Sequence, residues 1–265
     1  MYSYSREMKK SIFITGAASG IGRATALAFA QRGWFVGLFD VNEPALADLY
    51  DQIGPKSACC RPMDVTRPES VRQGAAFMAS HTNGRLDVLF NNAGVLYMGR
   101  HHAMPHEMKL RTVNVNLTGV LNGIDACFDL LKATAGSRIV TMSSASALYG
   151  TPELAVYSAT KAAVCALTDA LNIEFEPLGI HVCDIMAPYV KTPMITAAAI
   201  SATSVSRLGV HITAEQVAEV VWQAAQGRRR HWQAGWMMRL LRLATLAFPF
   251  GRRPLVKLLA FSKTS

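Results

Sequence analysis

The sequence predicts an α/β fold, a single domain in which one doubly wound parallel sheet carries helices on both faces. Short apolar runs alternate with amphipathic stretches along the chain, and this alternation is typical of strand–helix–strand units. The runs are almost continuously apolar, as expected for strands that are buried on both faces of a parallel sheet. No linker, internal repeat or low-complexity segment divides the 265 residues, so we expect one domain.

The apolar runs predict strands at residues 11–15, 34–39, 57–63, 86–91, 137–142 and 180–186. Amphipathic stretches between the first four of these strands predict helices at residues 21–32, 43–53 and 68–81. A further helix is predicted over residues 155–163, which are rich in good helix formers. Pro152 and Glu153 suit the entry to that helix.

The composition excludes several classes of protein. Hydrophobic residues make up 51% of the chain and charged residues 17%, which excludes a disordered protein. The five cysteines lie in apolar surroundings without C-x-x-C spacing, so we interpret them as reduced core residues of a cytoplasmic protein. No secretory signal and no run of about 18 uncharged apolar residues is present, so no membrane-spanning helix is predicted. His101, His102 and His106 lack a carboxylate or thiolate partner beyond Glu107, and we predict no metal site.

The net charge of +9 belongs entirely to the C-terminal segment, residues 228–265, which has nine Lys or Arg residues and no Asp or Glu. A helix predicted at residues 236–248 has a broad apolar face, and Arg239 and Arg242 lie off that face. Two interpretations stay open: a helix in peripheral contact with an anionic membrane, or a tail that packs on its own subunit or a dimer mate. The segment has no recognised nucleic-acid-binding motif, so we predict no nucleic-acid partner.

A glycine-rich loop connects the first predicted strand to the first predicted helix. Residues 15–22 are Thr-Gly-Ala-Ala-Ser-Gly-Ile-Gly. Glycines let the backbone approach a pyrophosphate closely, and the N-terminus of a helix attracts negative charge. The loop therefore predicts a Rossmann-type dinucleotide site, with residues 1–227 as the dinucleotide-binding and catalytic part. Residues 228–265 are predicted to be an extension of the same domain.

Asp40 ends the second predicted strand, where a carboxylate can accept hydrogen bonds from both hydroxyls of an adenosine ribose. The same carboxylate repels a 2′-phosphate by roughly 3 kcal/mol per unit charge at about 5 Å and an effective dielectric constant near 20. Neither Ser19 nor Val41 supplies a compensating cation. The predicted cofactor is therefore NAD.

Tyr157 and Lys161 lie four residues apart on the predicted helix, so their side chains share one face. A phenol is a poor base at neutral pH, and a fixed ammonium group beside it is expected to lower its pKa. Ser144 follows the strand predicted at residues 137–142, and its hydroxyl can reach the same substrate oxygen. These three side chains predict proton transfer to or from an alcohol.

Taken together, these motifs make residues 11–226 resemble the short-chain dehydrogenase/reductase family in its NAD-binding form. Further matches are Asp64-Val65 at the family's adenine-contacting turn and Asn-Asn-Ala-Gly at residues 91–94. The residues that the resemblance assigns to cofactor binding are Gly16, Ser19, Gly20, Ile21, Gly22, Asp40, Asp64, Val65, Asn92, Ala93, Gly94, Tyr157, Lys161, Val190 and Thr192.

The resemblance also implies a catalytic tetrad. Asn116 falls on the family's catalytic asparagine, which holds a water near the lysine. Tyr157 is implied to be the acid/base, Ser144 to position the substrate oxygen, and Lys161 to hold the nicotinamide ribose as well. A homo-oligomer, either a dimer or a tetramer, is expected on the same grounds.

The chain departs from the family's pattern after the strand predicted at residues 180–186. The family has Pro-Gly before x-Val-x-Thr, whereas Ala187 and Pro188 stand here before Val190 and Thr192. Proline fixes φ where glycine is free, so the geometry that holds the nicotinamide is expected to differ in detail. Residues 194–210 are apolar and rich in small side chains, and they occupy the family's substrate-covering region. We interpret them as a mobile lid.

The predicted function is an NAD-dependent oxidoreductase that interconverts a secondary alcohol and a ketone. Gly235-Trp236 and the apolar tail resemble the extension of retinoid and steroid dehydrogenases, which implies a small lipophilic substrate such as a steroid, a retinoid or a long-chain acyl compound. One alternative is an NADPH-dependent 3-oxoacyl thioester reductase, which Asp40 disfavours. Another is a non-catalytic nucleotide-sensing protein of the same fold, since fold alone does not establish activity.

Overall fold

The computed structural model describes residues 9–196 and 200–236, together with residues 238, 242, 243, 254, 256 and 257. Its strands are β1 Ser11–Thr15, β2 Phe35–Asp40, β3 Ala58–Pro62, β4 Val88–Asn91, β5 Arg138–Met142, β6 His181–Met186, β7 Val190–Lys191, β8 Ile212–Thr213 and β9 His231–Gln233. Its α-helices are α1 Gly20–Gln31, α2 Glu43–Ile53, α3 Pro68–Thr82, α4 His106–Val113, α5 Gly119–Lys132, α6 Ala155–Glu174, α7 Pro193–Thr196, α8 Thr203–Leu208 and α9 Ala214–Ala224.

Seven of these strands form one parallel sheet in the order β3-β2-β1-β4-β5-β6-β9, and β7 pairs separately with β8. The chain runs outward from β1 to β3 and then returns to add β4 on the other side of β1. In such a sheet, the carboxyl ends of the strands at this reversal point open into a crevice. The predicted fold class is confirmed, and the reversal places the candidate site between β1 and β4.

Two apolar cores cover the two faces of the sheet. Ile12 and Ile14 of β1 lie in one core, whereas Phe13 lies in the other, because successive strand side chains point to opposite faces. All three side chains are fully buried. This double burial explains why the strands are apolar at consecutive positions and why they could be found from sequence alone.

The six predicted strands and the helices predicted at residues 21–32, 43–53 and 68–81 are present, and each of their ends agrees to within two residues. The helix predicted at residues 155–163 begins at the predicted residue but continues to Glu174. Residues 152 and 153 lie just before α6, which begins at Ala155, and Glu153 has a left-handed φ of 66°. Strand β9 was not predicted. Its three residues are too few to show a period, and only its pairing with β6 defines it.

Strand β9 lies inside the segment predicted as a C-terminal extension. Most of the helix predicted at residues 236–248 falls outside the described residues, and the predicted membrane contact stays a prediction. Of the residues described there, Trp236 is exposed and Met238 is buried. Within the described ranges, no helix combines the length and the apolar character needed to cross a membrane.

Candidate active site

The glycine-rich loop between β1 and α1 has no room for a Cβ at Gly16 or Gly22. Gly16 has a φ of +67°, which favours glycine, and a Cβ added at Gly22 would overlap the carbonyl oxygen of Gly16. The Asn92 side chain donates hydrogen bonds to the carbonyl oxygens of Thr15, at 3.0 Å, and Gly16, at 2.9 Å. The loop is therefore pinned to the end of β4, and this close-packed backbone fits the approach of a pyrophosphate.

Asp40 is held at the rim of the cleft by two backbone groups. The N–H of Ala18 donates to its Oδ2 and the N–H of Asn42 donates to its Oδ1, each at 2.9 Å. The next side chain, Val41, is 66% exposed. The carboxylate thus faces the crevice in a fixed orientation, as a ribose-binding carboxylate must.

Asp64 and Val65 line the cleft just after β3. Asp64 Oδ1 accepts hydrogen bonds from the N–H and the hydroxyl of Thr66, at 2.9 and 2.8 Å. The Asn122 side chain donates to the carbonyl oxygen of Val65 at 2.8 Å. Helix α5 therefore supports the turn at which the adenine is expected.

Asn116 does not line the cleft. It lies in a π-helical turn, Asn114–Thr118, and is fully buried. Its Nδ2 donates to the carbonyl oxygen of Val95 at 2.9 Å, and its Oδ1 accepts from the N–H of the same residue at 2.8 Å. The side chain thus clamps the loop after β4, so any contact with a water near Lys161 falls to its main chain.

Ser144, Tyr157 and Lys161 come together at the carboxyl end of β5. Lys161 Nζ donates to the carbonyl oxygen of Met142 at 2.8 Å and lies 5.6 Å from the centroid of the Tyr157 ring. Ser144 Oγ accepts from the N–H of Ser146 at 3.2 Å and contacts the Ser146 hydroxyl at 3.1 Å. All three predicted residues therefore face one cleft from a strand end and one helix face.

The expected lowering of the tyrosine pKa is wrong for this arrangement. Burial raises the pKa of Tyr157 to about 12, although a hydrogen bond with Ser144 opposes the rise. Lys161 does not reverse it, because its ammonium group is directed to a carbonyl oxygen and the ring face. Burial lowers the pKa of Lys161 to about 8. At neutral pH the phenol therefore keeps its proton.

The segment that departs from the family's pattern lines the cleft, and its Thr192 lies beside Gly20 of the glycine loop. The N–H of Ala145 donates to the carbonyl oxygen of Ala187 at 2.9 Å, which ties this segment to the loop that carries Ser144. Val190 and Thr192 line the cleft with Pro188. Tyr189 donates or accepts a hydrogen bond with Ser204 Oγ at 2.6 Å.

The cleft has a volume of about 1340 Å³ and contains every predicted site residue except Gly22 and Asn116. Several residues that line the cleft were not predicted from the sequence. All of them have apolar or aromatic side chains: Leu96, Leu110, Tyr149, Leu154, Tyr189, Pro193, Met238 and Val256. The last two belong to the tail, and no signal in the sequence places them there. Among the described residues, no three His, Cys, Asp or Glu side chains are grouped in a way that could hold a metal ion.

A buried polar cluster connects β6, β9 and α6. Asp184 of β6 is fully buried, and its Oδ2 accepts from His231 Nδ1 at 2.7 Å. His231 Nε2 contacts Asp169 Oδ1 at 3.0 Å. The hydrogen bond to Asp184 raises the pKa of His231, whereas burial raises the pKa of Asp184 and the histidine opposes this rise. The cluster joins β9 to the sheet, and sequence reasoning missed it because its partners are far apart in the chain.

Comparison with known proteins identifies the family. Residues 10–201 match the family described as short chain dehydrogenase. The chain is 36% identical over 188 residues to the oxidoreductase UcpA of Salmonella typhimurium, covering 70% of this chain and 71% of the relative. It is 34% identical over 220 residues to a cyclohexanol dehydrogenase of Acinetobacter sp., covering 80% of this chain and 86% of the relative.

A similar solved structure is a short-chain dehydrogenase/reductase from Burkholderia phymatum in complex with NAD. Its TM-score to this chain is 0.79 at 25% sequence identity, with 100% of this chain and 99% of the other chain covered.

Proposed function

The chain belongs to the short-chain dehydrogenase family of oxidoreductases, and from that premise we propose that it uses NAD(H) to interconvert a secondary alcohol and a ketone on a lipophilic substrate. One observation carries the proposal. Ser144, Tyr157 and Lys161 converge in the same cleft as the close-packed glycine loop and Asp40. Acid/base groups and a dinucleotide cradle are the two parts that such a reaction needs.

The chain's own residues supply proton transfer and positioning. Tyr157 holds a proton at neutral pH, so it can donate that proton to a ketone oxygen. In the reverse direction Tyr157 first loses its proton to solvent, and the resulting phenolate takes the proton of the alcohol. The Ser144 hydroxyl contributes a hydrogen bond to the same oxygen, and Lys161 places a positive charge beneath the tyrosine ring. When bound, NAD supplies the acceptor for the hydride, and NADH supplies the hydride.

The preference for NAD rests on Asp40. Its carboxylate is fixed by the backbone of Ala18 and Asn42, so it cannot turn away from a 2′-phosphate without breaking both hydrogen bonds. The NAD complex of the Burkholderia phymatum protein is consistent with this choice. A preference for NAD also distinguishes the proposed function from the alternative of an NADPH-dependent 3-oxoacyl thioester reductase.

Asp40→Ala is expected to weaken NAD use and to narrow its advantage over NADP by roughly tenfold or more, because a fixed charge and its hydrogen bonds are lost. The measurement is kcat/KM for both cofactors. Asp48→Ala removes a carboxylate from the exposed face of α2 and serves as the matched control. A wild-type preference for NADP would contradict the assignment.

The apolar walls of the cleft support a lipophilic substrate. Leu96, Leu154, Met194, Ile195 and Met238 line it. Purified protein with NAD should be assayed against cyclohexanol, a long-chain secondary alcohol, a steroid alcohol, retinol and glycerol. We expect the lipophilic members to give the higher kcat/KM. Turnover with NADPH and a 3-oxoacyl thioester alone would favour the thioester reductase, and cofactor binding without any turnover would favour the non-catalytic alternative.

A further inference from the structure

Glu153 joins the loop before the catalytic helix to the short helix α8. The N–H of Thr203, the first residue of α8, donates to Glu153 Oε2 at 2.6 Å, and the Thr203 hydroxyl contacts Oε1 at 3.3 Å. A carboxylate at the first turn of a helix accepts from backbone groups that have no partner within the helix. The contact spans 50 residues of sequence, so it is a tertiary connection.

The residues on either side of Thr203 are tied to two other loops. The N–H of Ala202 donates to Met98 Sδ at 3.2 Å, in the loop after β4. Ser204, which is fully buried, shares a hydrogen bond of 2.6 Å with the Tyr189 hydroxyl, in the loop after β6. Three consecutive residues thus anchor α8 to three different loops at the carboxyl edge of the sheet.

The backbone of Glu153 is strained at the point where it makes this contact. Its φ of 66° lies in the left-handed region, which costs free energy for a residue that has a Cβ. Its carbonyl oxygen accepts from the N–H of Gly99 at 2.9 Å. Both the main chain and the side chain of Glu153 are therefore committed to contacts, and a flexible loop that made neither contact would relax this φ.

The anchored helix packs on the same apolar cluster as Tyr157. Tyr157 and Val205 are packed on one apolar cluster whose buried members are Met98, Leu154 and Ala202. Leu208, the last residue of α8, lines the cleft. The position of α8 therefore sets the shape of the cleft on the side where Tyr157 meets the substrate.

We propose that Glu153 is a positioning residue that latches α8 over the substrate end of the cleft and thereby sets the affinity for the substrate. The latch acts on the same site as the proposed function and rests on it for its effect on KM. Its structural part, the attachment of α8, is independent of which substrate the protein takes. The Glu153 carboxylate makes the contact with Thr203, and the left-handed backbone of Glu153 orients this carboxylate toward α8.

The decisive experiment is hydrogen exchange at the amides of α8 and at Gly209, whose N–H donates to the carbonyl oxygen of Val205. Glu153→Gly removes the carboxylate and tolerates the left-handed φ, so exchange across α8 should accelerate by roughly tenfold or more while Tm is unchanged or raised. Glu153→Ala removes the carboxylate but keeps the strain, so it should show the same acceleration with a lower Tm. Glu153→Gln keeps an acceptor for the Thr203 N–H and should recover most of the protection.

Kinetics supplies the second readout. With the best alcohol of the panel described above, Glu153→Gly should raise KM several-fold with little change in kcat and in the Kd for NAD. Unchanged exchange in α8 for both Glu153→Gly and Glu153→Ala would overturn the latch. If no alcohol is turned over, the proposed function fails, and the exchange measurement still decides the latch. Accelerated exchange with an unchanged KM would overturn the role in substrate affinity.

Discussion

Replacing Tyr157 with phenylalanine is expected to lower kcat by about a hundredfold to ten-thousandfold, because the variant cannot donate or accept the proton at the substrate oxygen. The Kd for NAD should change little, since the ring and its contact with Lys161 are kept. Ser144 also keeps its hydrogen bonds to Ser146, so the loop that carries it should stay in place. Steady-state kinetics and cofactor titration measure the two effects separately.

Tyr97→Phe is a matched control, because this tyrosine lies in the loop after β4 but is not among the residues that line the cleft. It should retain activity within a few-fold of the wild type. A near-normal rate for Tyr157→Phe on a good substrate would show that another group, or a water, transfers the proton.

His231→Ala is expected to lower the free energy of unfolding by about 3–5 kcal/mol, which is the typical cost of leaving a buried charge without its partner. The partner is Asp184, which is fully buried and accepts a hydrogen bond from His231 at 2.7 Å. The loss should be largest in β9 and β6, because the pair joins these neighbouring strands. Chemical denaturation of the variant and the wild type at neutral pH measures it.

The same pair predicts how stability depends on pH. Asp184 raises the pKa of His231 above the ordinary value of 6.5, so the folded state binds a proton more tightly than the unfolded state does. The stabilisation from this proton is complete below about 6.5 and is lost as the pH rises through the raised pKa of the folded protein. His231→Ala should therefore be less sensitive than the wild type to a rise in pH above neutrality.

His106→Ala removes an exposed histidine from the start of α4 and is the matched control for this variant. Its effect on the free energy of unfolding should stay within about 0.5 kcal/mol, as is usual at exposed positions. A loss of less than about 1 kcal/mol in His231→Ala would mean that Asp184 is neutral in the folded protein.

Local sequence patterns were enough to predict most of the strands and several of the residues that line the cleft. Strands that are buried on both faces must be apolar at consecutive positions, so β1 to β6 could be recognised without any knowledge of their neighbours. The glycine loop, Asp40 and Ser144 were also found from local sequence, because each lies at the end of a predicted strand. Tyr157 and Lys161 were found from their four-residue spacing on one predicted helix. These residues do line one cleft, although their roles in catalysis stay a prediction.

Tertiary structure alone decided the features that depend on distant residues. Burial raised the pKa of Tyr157 where its neighbour in sequence, Lys161, suggested the opposite. The Asn116 side chain forms hydrogen bonds with the backbone of Val95, and the His231 ring forms one with Asp184. Neither contact was predicted. The left-handed backbone of Glu153 was not predicted, because it depends on hydrogen bonds with Gly99 and Thr203, which are distant in sequence. The common physical reason is that desolvation and long-range hydrogen bonds depend on which segments pack together, and the local periodicity of a sequence carries no record of that.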